Sequence, residues 1–144
     1  MKETHVIYAV IDTNVLASSL SSKDGTSNPA IVVLSVINGV ITPIYNDEIL
    51  EEYREVLSRP KFGFPNHLIN DLLALFTEFG IEVSRVGSTG EYFPDKDDIV
   101  FYEVKMSVDD AYLVTGNTKH FPATPLIVSP AQMVSLLYER VLLR

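Results

Sequence analysis

The apolar residues of this chain fall into two kinds of stretch that alternate along its length. Short runs rich in β-branched residues predict buried strands over about residues 5–12, 41–45, 81–86, 111–115 and 126–128. Between them, helical spacing of apolar residues predicts helices from Asn14, over 28–37, 47–58 and 65–79, from Asp97 and from Pro130. This alternation predicts an α/β fold with a central parallel sheet covered by helices on both faces.

Local signals suggest how the second of these helices begins and ends. Asn28 is a good N-cap and Pro29 suits the first helical position, while Asn38-Gly39 is a typical stop. In the fifth helix, apolar residues occupy more than one face. That helix is therefore either deeply buried or also in contact with another subunit, and we favour burial. Its apolar residues are Val100, Phe101 and Val104, and also Ile99, Tyr102 and Met106.

Length and composition describe an ordinary folded chain. The 144 residues are expected to form one domain over 1–144, with 47% hydrophobic residues to fill a single core. No apolar run reaches the ~20 residues that span a bilayer, and the first residues lack the pattern of a signal peptide. The absence of cysteine excludes disulfides and thiolate sites. We therefore expect a cytoplasmic protein with no membrane segment.

The net charge of −8 argues against a broad basic surface that grips nucleic acid. The acidic residues are concentrated in two segments of the chain. Since crowded carboxylates repel one another, these side chains are either solvated or held together by cations. The two segments contain Asp47, Glu48, Glu51, Glu52 and Glu55, and Asp95, Asp97, Asp98, Glu103, Asp109 and Asp110.

Polar residues follow two of the predicted strands at the point where each ends. The first strand runs into Asp12-Thr13-Asn14, and the fourth into Thr115-Gly116-Asn117. Ligand sites of open α/β sheets form at this carboxyl edge, so Asp12 suits chemistry better than packing. After Asn117, Lys119 is a candidate for contact with a phosphate. We interpret His120 as a loop histidine rather than a ligand.

Two acidic positions on helices are candidates to meet Asp12. On the third helix the apolar stripe of Ile49, Leu50, Tyr53, Val56 and Leu57 should face the core. Glu52 lies at the flank of that stripe, either as a rim carboxylate paired with a lysine or as a site residue. The fifth helix opens with three acids, Asp95, Asp97 and Asp98. One of Asp97 and Asp98 can serve as an N-cap, which leaves at least one acid beyond the structural need.

Four segments together resemble the PIN-domain family, and more closely its VapC-like toxins of toxin–antitoxin systems. They occur in the family's order and spacing and cover nearly the whole chain. The segments are VIDTNVLASSL at 10–20, NDEILEEYREVLSRPKF at 46–62, PDKDDIVFYEV at 94–104 and AYLVTGNTKHFP at 111–122.

The resemblance implies a three-layer α/β/α sandwich and a metal-dependent ribonuclease site. Asp12, Glu52 and Asp98 match the family's first three acids and are the implied catalytic residues. Asn117 stands where many members carry a fourth acid, which implies a weaker or absent second metal site. The implied metal ligands are Asp12, Glu52, Asp97, Asp98 and Asn117, and the implied substrate-binding residues are Thr13, Asn14, Thr115 and Lys119.

Hard oxygen ligands favour Mg²⁺ or Mn²⁺, which would activate water and offset charge on the phosphodiester of an RNA substrate. Arg59, Lys61 and Lys119 are candidates to hold the RNA strand, with tyrosines available for stacking. The resemblance further implies a homodimer and a cognate antitoxin that occupies the active-site groove.

Two other functions remain open from the sequence. Asn117 favours a catalytically weak or inactive PIN-like module that binds RNA or protein, whereas the retained Asp12, Glu52 and Asp98 favour the nuclease. A phosphohydrolase of the haloacid-dehalogenase type also places an aspartate after its first strand. That class needs a second aspartate two residues later, and this chain has Asn14 there.

Overall fold

The structure, a computed structural model, describes residues 6–23, 25–85, 87, 90 and 93–140. These residues form five strands, six α-helices and one 3-10 helix, Thr118–His120. The strands are β1 Ile7–Ile11, β2 Ile41–Tyr45, β3 Ile81–Glu82, β4 Tyr112–Val114 and β5 Ile127–Val128. The helices are α1 Thr13–Leu20, α2 Asn28–Ile37, α3 Asp47–Leu57, α4 Asn66–Phe79, α5 Asp98–Met106 and α6 Pro130–Glu139.

All strand pairs of the sheet are parallel, and their spatial order is β3-β2-β1-β4-β5. The central strand β1 pairs with β2 on one side and with β4 on the other, where Ile11 lies opposite Val114. Because both strands end at the same edge, the residues that follow them, Asp12 and Thr115, emerge side by side. The predicted parallel sheet is confirmed.

The helices form two groups that cover the sheet. On one side α1 packs on α2 and α2 on α6, and on the other α3 packs on α4 and α5. The result is the predicted three-layer α/β/α sandwich. Helix α5 contacts β1, β2 and β4, and Phe101, Tyr102 and Val104 are buried. Burial within the chain therefore explains these three apolar residues, whereas Met106 at the end of the helix is 38% exposed. No described helix is long and apolar enough to cross a membrane.

Some predicted bounds are wrong. β3 contains two residues instead of about six, and both of its side chains are exposed; Val86, the predicted end of this strand, lies outside the described residues. Ser27, not Asn28, is the N-cap of α2, and its side chain accepts a hydrogen bond from the Ala30 N–H. Ser27 is the N-cap because its short side chain reaches the backbone N–H of the third helical residue, whereas Asn28 already has helical backbone geometry.

The turn from α4 to β3 depends on Gly80. A Cβ built at this position would lie 2.4 Å from the Phe76 carbonyl oxygen and 2.6 Å from that of Pro43. We expect Gly80→Ala to lower the free energy of unfolding by about 2 kcal/mol, because backbone atoms must shift to relieve the overlap. Urea unfolding measures this change. Gly87→Ala is the control, since no atom lies within 4 Å of a Cβ built there; equal stability of the two variants would contradict the prediction.

Candidate active site

Asp12 is the centre of the polar groups at the carboxyl edge of the sheet. It follows β1 and is 6% exposed. Its Oδ2 accepts a hydrogen bond of 2.7 Å from the hydroxyl of Thr115, which follows β4. Burial raises the pKa of Asp12, while the Thr115 hydroxyl and the Thr13 backbone N–H partly offset this shift. These hydrogen bonds fix the orientation of the Asp12 carboxylate but do not balance its negative charge.

The turn after β4 is tied to the start of α1. The Nδ2 of Asn14 lies 3.5 Å from Asp12 Oδ2, and its Oδ1 accepts a 3.3 Å hydrogen bond from the Gly116 N–H. Thr115 in turn accepts a 3.0 Å hydrogen bond from the Asn117 N–H. The predicted residues Asn14 and Thr115 therefore contact Asp12 directly. The side chain of Asn117 is exposed on this turn.

Tyr53 joins helix α3 to the strand that ends just before Asp12. It is fully buried in α3, and its hydroxyl donates a 2.5 Å hydrogen bond to the carbonyl oxygen of Ile11. Burial, and then the charge of Asp12, hold the pKa of Tyr53 well above its ordinary value, so the hydroxyl keeps its proton. This bond fixes α3, and with it Glu52, to the end of β1. The apolar stripe predicted a buried Tyr53 but did not predict the partner of its hydroxyl.

Asp98 is the first residue of α5 and is 9% exposed. Burial raises its pKa to about 6, with further contributions from the negative charges of Asp12 and Asp95. His120, in the 3-10 helix, places its Nδ1 3.5 Å from Asp98 Oδ2 and partly offsets the shift. From the sequence, His120 was expected to be a loop histidine rather than a ligand. Its side chain is indeed partly exposed, but it also belongs to this site.

The acids before α5 do not act as its side-chain caps. Asp97 occupies the N-cap position without a side-chain cap hydrogen bond. Instead, the carboxylate of Asp95 accepts a 2.9 Å hydrogen bond from the Asp97 N–H. Asp97 is therefore the N-cap by position, as expected, but its carboxylate makes no cap hydrogen bond, and the carboxylate of Asp95 organises this turn. The charge of Asp95 also raises the pKa of Asp12, Glu52 and Asp98, which brings Asp95 into the group although sequence reasoning did not select it.

Glu52 lies half-buried on α3, at the flank predicted from the apolar stripe. Burial raises its pKa, followed by the charges of Asp97 and Glu55, while Arg59 lowers it. Glu52 forms no ion pair with a described residue, so the rim pairing with a lysine is not seen there. It opens into a trench of about 390 Å³ that we call the acidic trench. This trench is lined by Glu48, Glu51, Glu52, Glu55 and Asp97, together with Arg85, Lys96 and Val100.

Two of the predicted substrate-binding residues, Thr13 and Lys119, do not contact Asp12 through their side chains as Asn14 and Thr115 do. The Thr13 side chain is buried, and its hydroxyl has no hydrogen-bond partner among the described residues. Lys119 is exposed on the 3-10 helix, next to His120, and lines a separate cleft rather than the acidic trench. The structure thus brings Asp12, Asn14, Thr115 and Asp98 together, with Glu52 and Asp97 at one side and Lys119 at another.

A family model described as PIN domain matches residues 8–119. The chain belongs to the PIN-domain family. The match covers every sequence-predicted site residue from Asp12 to Lys119 and ends one residue before His120. Among curated proteins, none matches the sequence of this chain. PIN domains are generally nucleases and generally use divalent metals, which gives the carboxylates around Asp12 a chemical context.

The residues of this PIN domain fit a divalent cation by their chemistry and charge. Asp12, Glu52 and Asp98 provide hard oxygen donors, and no lysine or arginine pairs with them in the part of the chain that the structure describes. Their spacing is wider than that of bound ligands, since no three acidic or histidine side chains of the described residues are grouped closely enough to hold an ion. The donor set fits, and the side chains would have to turn inward to enclose the ion.

Proposed function

We propose that this PIN domain is a metal-dependent ribonuclease that hydrolyses the phosphodiester bonds of RNA. The observation that carries the proposal is the buried Asp12 beside Asp98. Both carboxylates have a raised pKa, and neither has a lysine or arginine partner among the described residues. Two buried, unpaired carboxylates at a sheet edge lower the stability of the fold, and a bound cation would compensate their charge.

Asp12, Glu52 and Asp98 would hold Mg²⁺ or Mn²⁺, with Asp97 and Asn117 as the further ligands that the family resemblance implies. When bound, such an ion polarises the phosphodiester and activates water for attack. Thr115 keeps Asp12 in one orientation through its 2.7 Å hydrogen bond. Asn14 would orient water or phosphate by hydrogen bonds, and Lys119 would bind an RNA phosphate. Thr115, through its hydroxyl, and Thr13, through its backbone N–H, would act by holding Asp12 in place. The mechanism needs no protein nucleophile.

Incubation of the purified protein with mixed single-stranded RNA tests the proposal. We expect cleavage with Mg²⁺ or Mn²⁺, none with EDTA, and a loss of at least about 100-fold in Asp12→Asn, because an essential ligand is removed. Circular dichroism checks that the variant is folded. Cleavage that survives EDTA or Asp12→Asn would overturn the proposal. A wild-type protein that binds RNA without cleaving it would favour the binding module suggested by Asn117 at the fourth position.

The finer proposal is that the protein is the cytoplasmic toxin of a toxin–antitoxin pair. The acidic trench beside Glu52 supports a protein partner, since its five carboxylates are complementary to a basic segment of a cognate antitoxin. Expression in bacteria tests whether the protein is a toxin. Growth should stop with the wild type and continue with Asp12→Asn. Equal growth with both would count against a toxin.

We also propose that the protein is a homodimer. The packed pair α2 and α6 carries three exposed apolar side chains, Leu34, Ile37 and Tyr138, each at least 46% exposed. Exposed apolar side chains on two helices that pack together support a contact surface there. Analytical ultracentrifugation should show a dimer for the wild type and a monomer for Leu34→Glu. A monomeric wild type would contradict this assembly.

A further inference from the structure

A cleft of about 660 Å³ lies next to the candidate active site, between the 3-10 helix and the start of α6. We call it the Lys119 cleft. Its volume is within the range of about 300–1,000 Å³ that is usual for small-ligand pockets. The walls that matter here are formed by Lys119, Phe121, Pro122, Ala123, Thr124 and Gln132.

The Lys119 cleft has no carboxylate in its walls, although the chain has a net charge of −8. Three other recesses of the described residues each carry at least two. They are the acidic trench, a groove between α3 and α4 with Asp47 and Glu51, and a recess near β3 with Asp47, Glu48 and Glu82. Because like charges repel, an anionic ligand meets less opposition in the Lys119 cleft than in these three.

The cation of this cleft is available for a ligand. Lys119 forms no ion pair with a described residue. By contrast, Arg59 is paired with Glu55 at 2.8 Å, and Arg85 is paired with Glu48 and Glu103 at 2.7 and 2.6 Å. Lys119 can therefore bind a phosphate without first breaking an internal ion pair.

The cleft is adjacent to the carboxylates in space as well as in sequence. His120, the residue after Lys119, places its Nδ1 3.5 Å from Asp98 Oδ2. Consecutive Cα atoms are about 3.8 Å apart, so one short helix connects the cleft directly to the candidate metal site. A strand whose phosphate lies at Asp12 and Asp98 would reach the cleft with the neighbouring nucleotide.

The remaining walls offer donors and an apolar surface. The Gln132 Oε1 accepts a 2.8 Å hydrogen bond from the Ser129 N–H, which leaves the amide nitrogen as the donor toward a ligand. The Thr124 oxygen accepts a 3.2 Å hydrogen bond from the Leu126 N–H, which leaves its hydroxyl hydrogen to donate. Phe121 packs edge-on against Phe93, with 6.0 Å between ring centroids. Beside it, Pro122 provides an apolar surface for a base.

We propose that the Lys119 cleft binds the nucleotide adjacent to the cleaved phosphodiester of single-stranded RNA. The Lys119 amine contacts the phosphate of that nucleotide, and Pro122, next to the buried Phe121, contacts its base. This inference rests on the proposed ribonuclease function and goes beyond it, because it assigns a separate binding subsite outside the carboxylate group and includes residues beyond the family match.

Kinetics on two substrates test the inference. A mixed-sequence 12-nucleotide RNA occupies both the metal site and the cleft, whereas bis(p-nitrophenyl) phosphate is a small phosphodiester that reaches the metal site alone. We expect Lys119→Glu and Ala123→Glu each to raise KM for the RNA about tenfold, with kcat changed less than twofold. Hydrolysis of the small substrate by Ala123→Glu should stay within twofold of the wild type, because Ala123 lines the cleft and lies outside the group of residues around Asp12.

Lys23→Glu is the matched control for charge, because Lys23 is exposed beyond the far end of α1, about 12 Å of helix from Asp12. It should leave KM for the RNA within twofold. If the wild type cleaves the RNA and neither cleft variant raises KM beyond that control, the inference is overturned while the ribonuclease function stands. Parallel losses on both substrates in Ala123→Glu would also overturn it, since they would place the effect at the metal site. A wild type that hydrolyses neither substrate would overturn the ribonuclease proposal, and the inference with it.

Discussion

Asp98→Asn is expected to stabilise the protein and abolish its activity at the same time. In the folded state the pKa of Asp98 is raised from 3.8 to about 6, so at pH 8 the ionised carboxylate costs free energy. Removing that charge should raise the free energy of unfolding by roughly 1–2 kcal/mol in EDTA at pH 8. RNA cleavage should fall by at least about 100-fold, because the carboxylate is a proposed metal ligand.

Thermal unfolding and cleavage of the same preparation measure both effects. Asp71→Asn makes the same chemical change at an exposed position of α4 and should alter neither property. A lower stability of Asp98→Asn would show that the carboxylate mainly supports the fold through His120, its partner at 3.5 Å. Full activity of the variant would remove Asp98 from the site.

Mg²⁺ should raise the melting temperature strongly at pH 8 and hardly at all at pH 5. The folded-state pKa of Asp98 lies above its unfolded value, so the stability contributed by its protonation is fully present below about 3.8 and is lost as the pH rises through about 6. The pKa of Asp12 is shifted in the same direction. The metal-free protein should therefore become less stable from pH 5 to pH 8. Mg²⁺ at about 100 times its Kd should raise the free energy of unfolding by about 2.7 kcal/mol, which corresponds to an increase in melting temperature of roughly 5–10 °C.

Differential scanning fluorimetry in EDTA and in MgCl2 across this pH range checks the prediction. Asp12→Asn is the control for the site and should lose the Mg²⁺ effect at every pH. An equal effect at pH 5 and pH 8, or an effect that persists in Asp12→Asn, would show that Mg²⁺ binds elsewhere on the chain.

The sequence predicted the layers of the fold better than the lengths of its strands. The apolar run that became β1 and the helical spacing of α3 and α4 are local patterns, and burial follows directly from them. The edge strand β3 was predicted over 81–86 and pairs through only two residues, Ile81 and Glu82. Its length depends on how far β2 remains alongside, which residue types do not encode.

The candidate site was predicted to different degrees for different residues. Asp12 and Thr115 followed from strand ends, because neighbouring parallel strands end at one edge. Glu52 and Asp98 were selected chiefly by resemblance to PIN domains, and the structure couples their charges to Asp95, Asp97 and Asp12. The metal-ligand and substrate-binding roles themselves remain predictions.

Three contributors were missed because each depends on the path of the backbone. Asp95 joins the acidic residues of the site because of a turn in which its carboxylate accepts a hydrogen bond from the Asp97 N–H. His120 meets Asp98 because residues 118–120 form a 3-10 helix at the end of the β4 turn. Tyr53 has the signature of a core residue, and its hydrogen bond to Ile11 spans 42 residues of sequence.

By itself, the sequence determined the α/β class, the parallel sheet and the placement of Asp12 at its carboxyl edge, since these follow from local spacing and from the rule that ligands collect at strand ends. Only the tertiary structure decided which charges share that edge and which do not. Asp12 and Asp98 are buried together without a lysine or arginine partner among the described residues, whereas Lys119 faces a cleft free of carboxylates. The physical reason is that electrostatic coupling depends on distance and burial in space, which the order of residues along the chain does not specify.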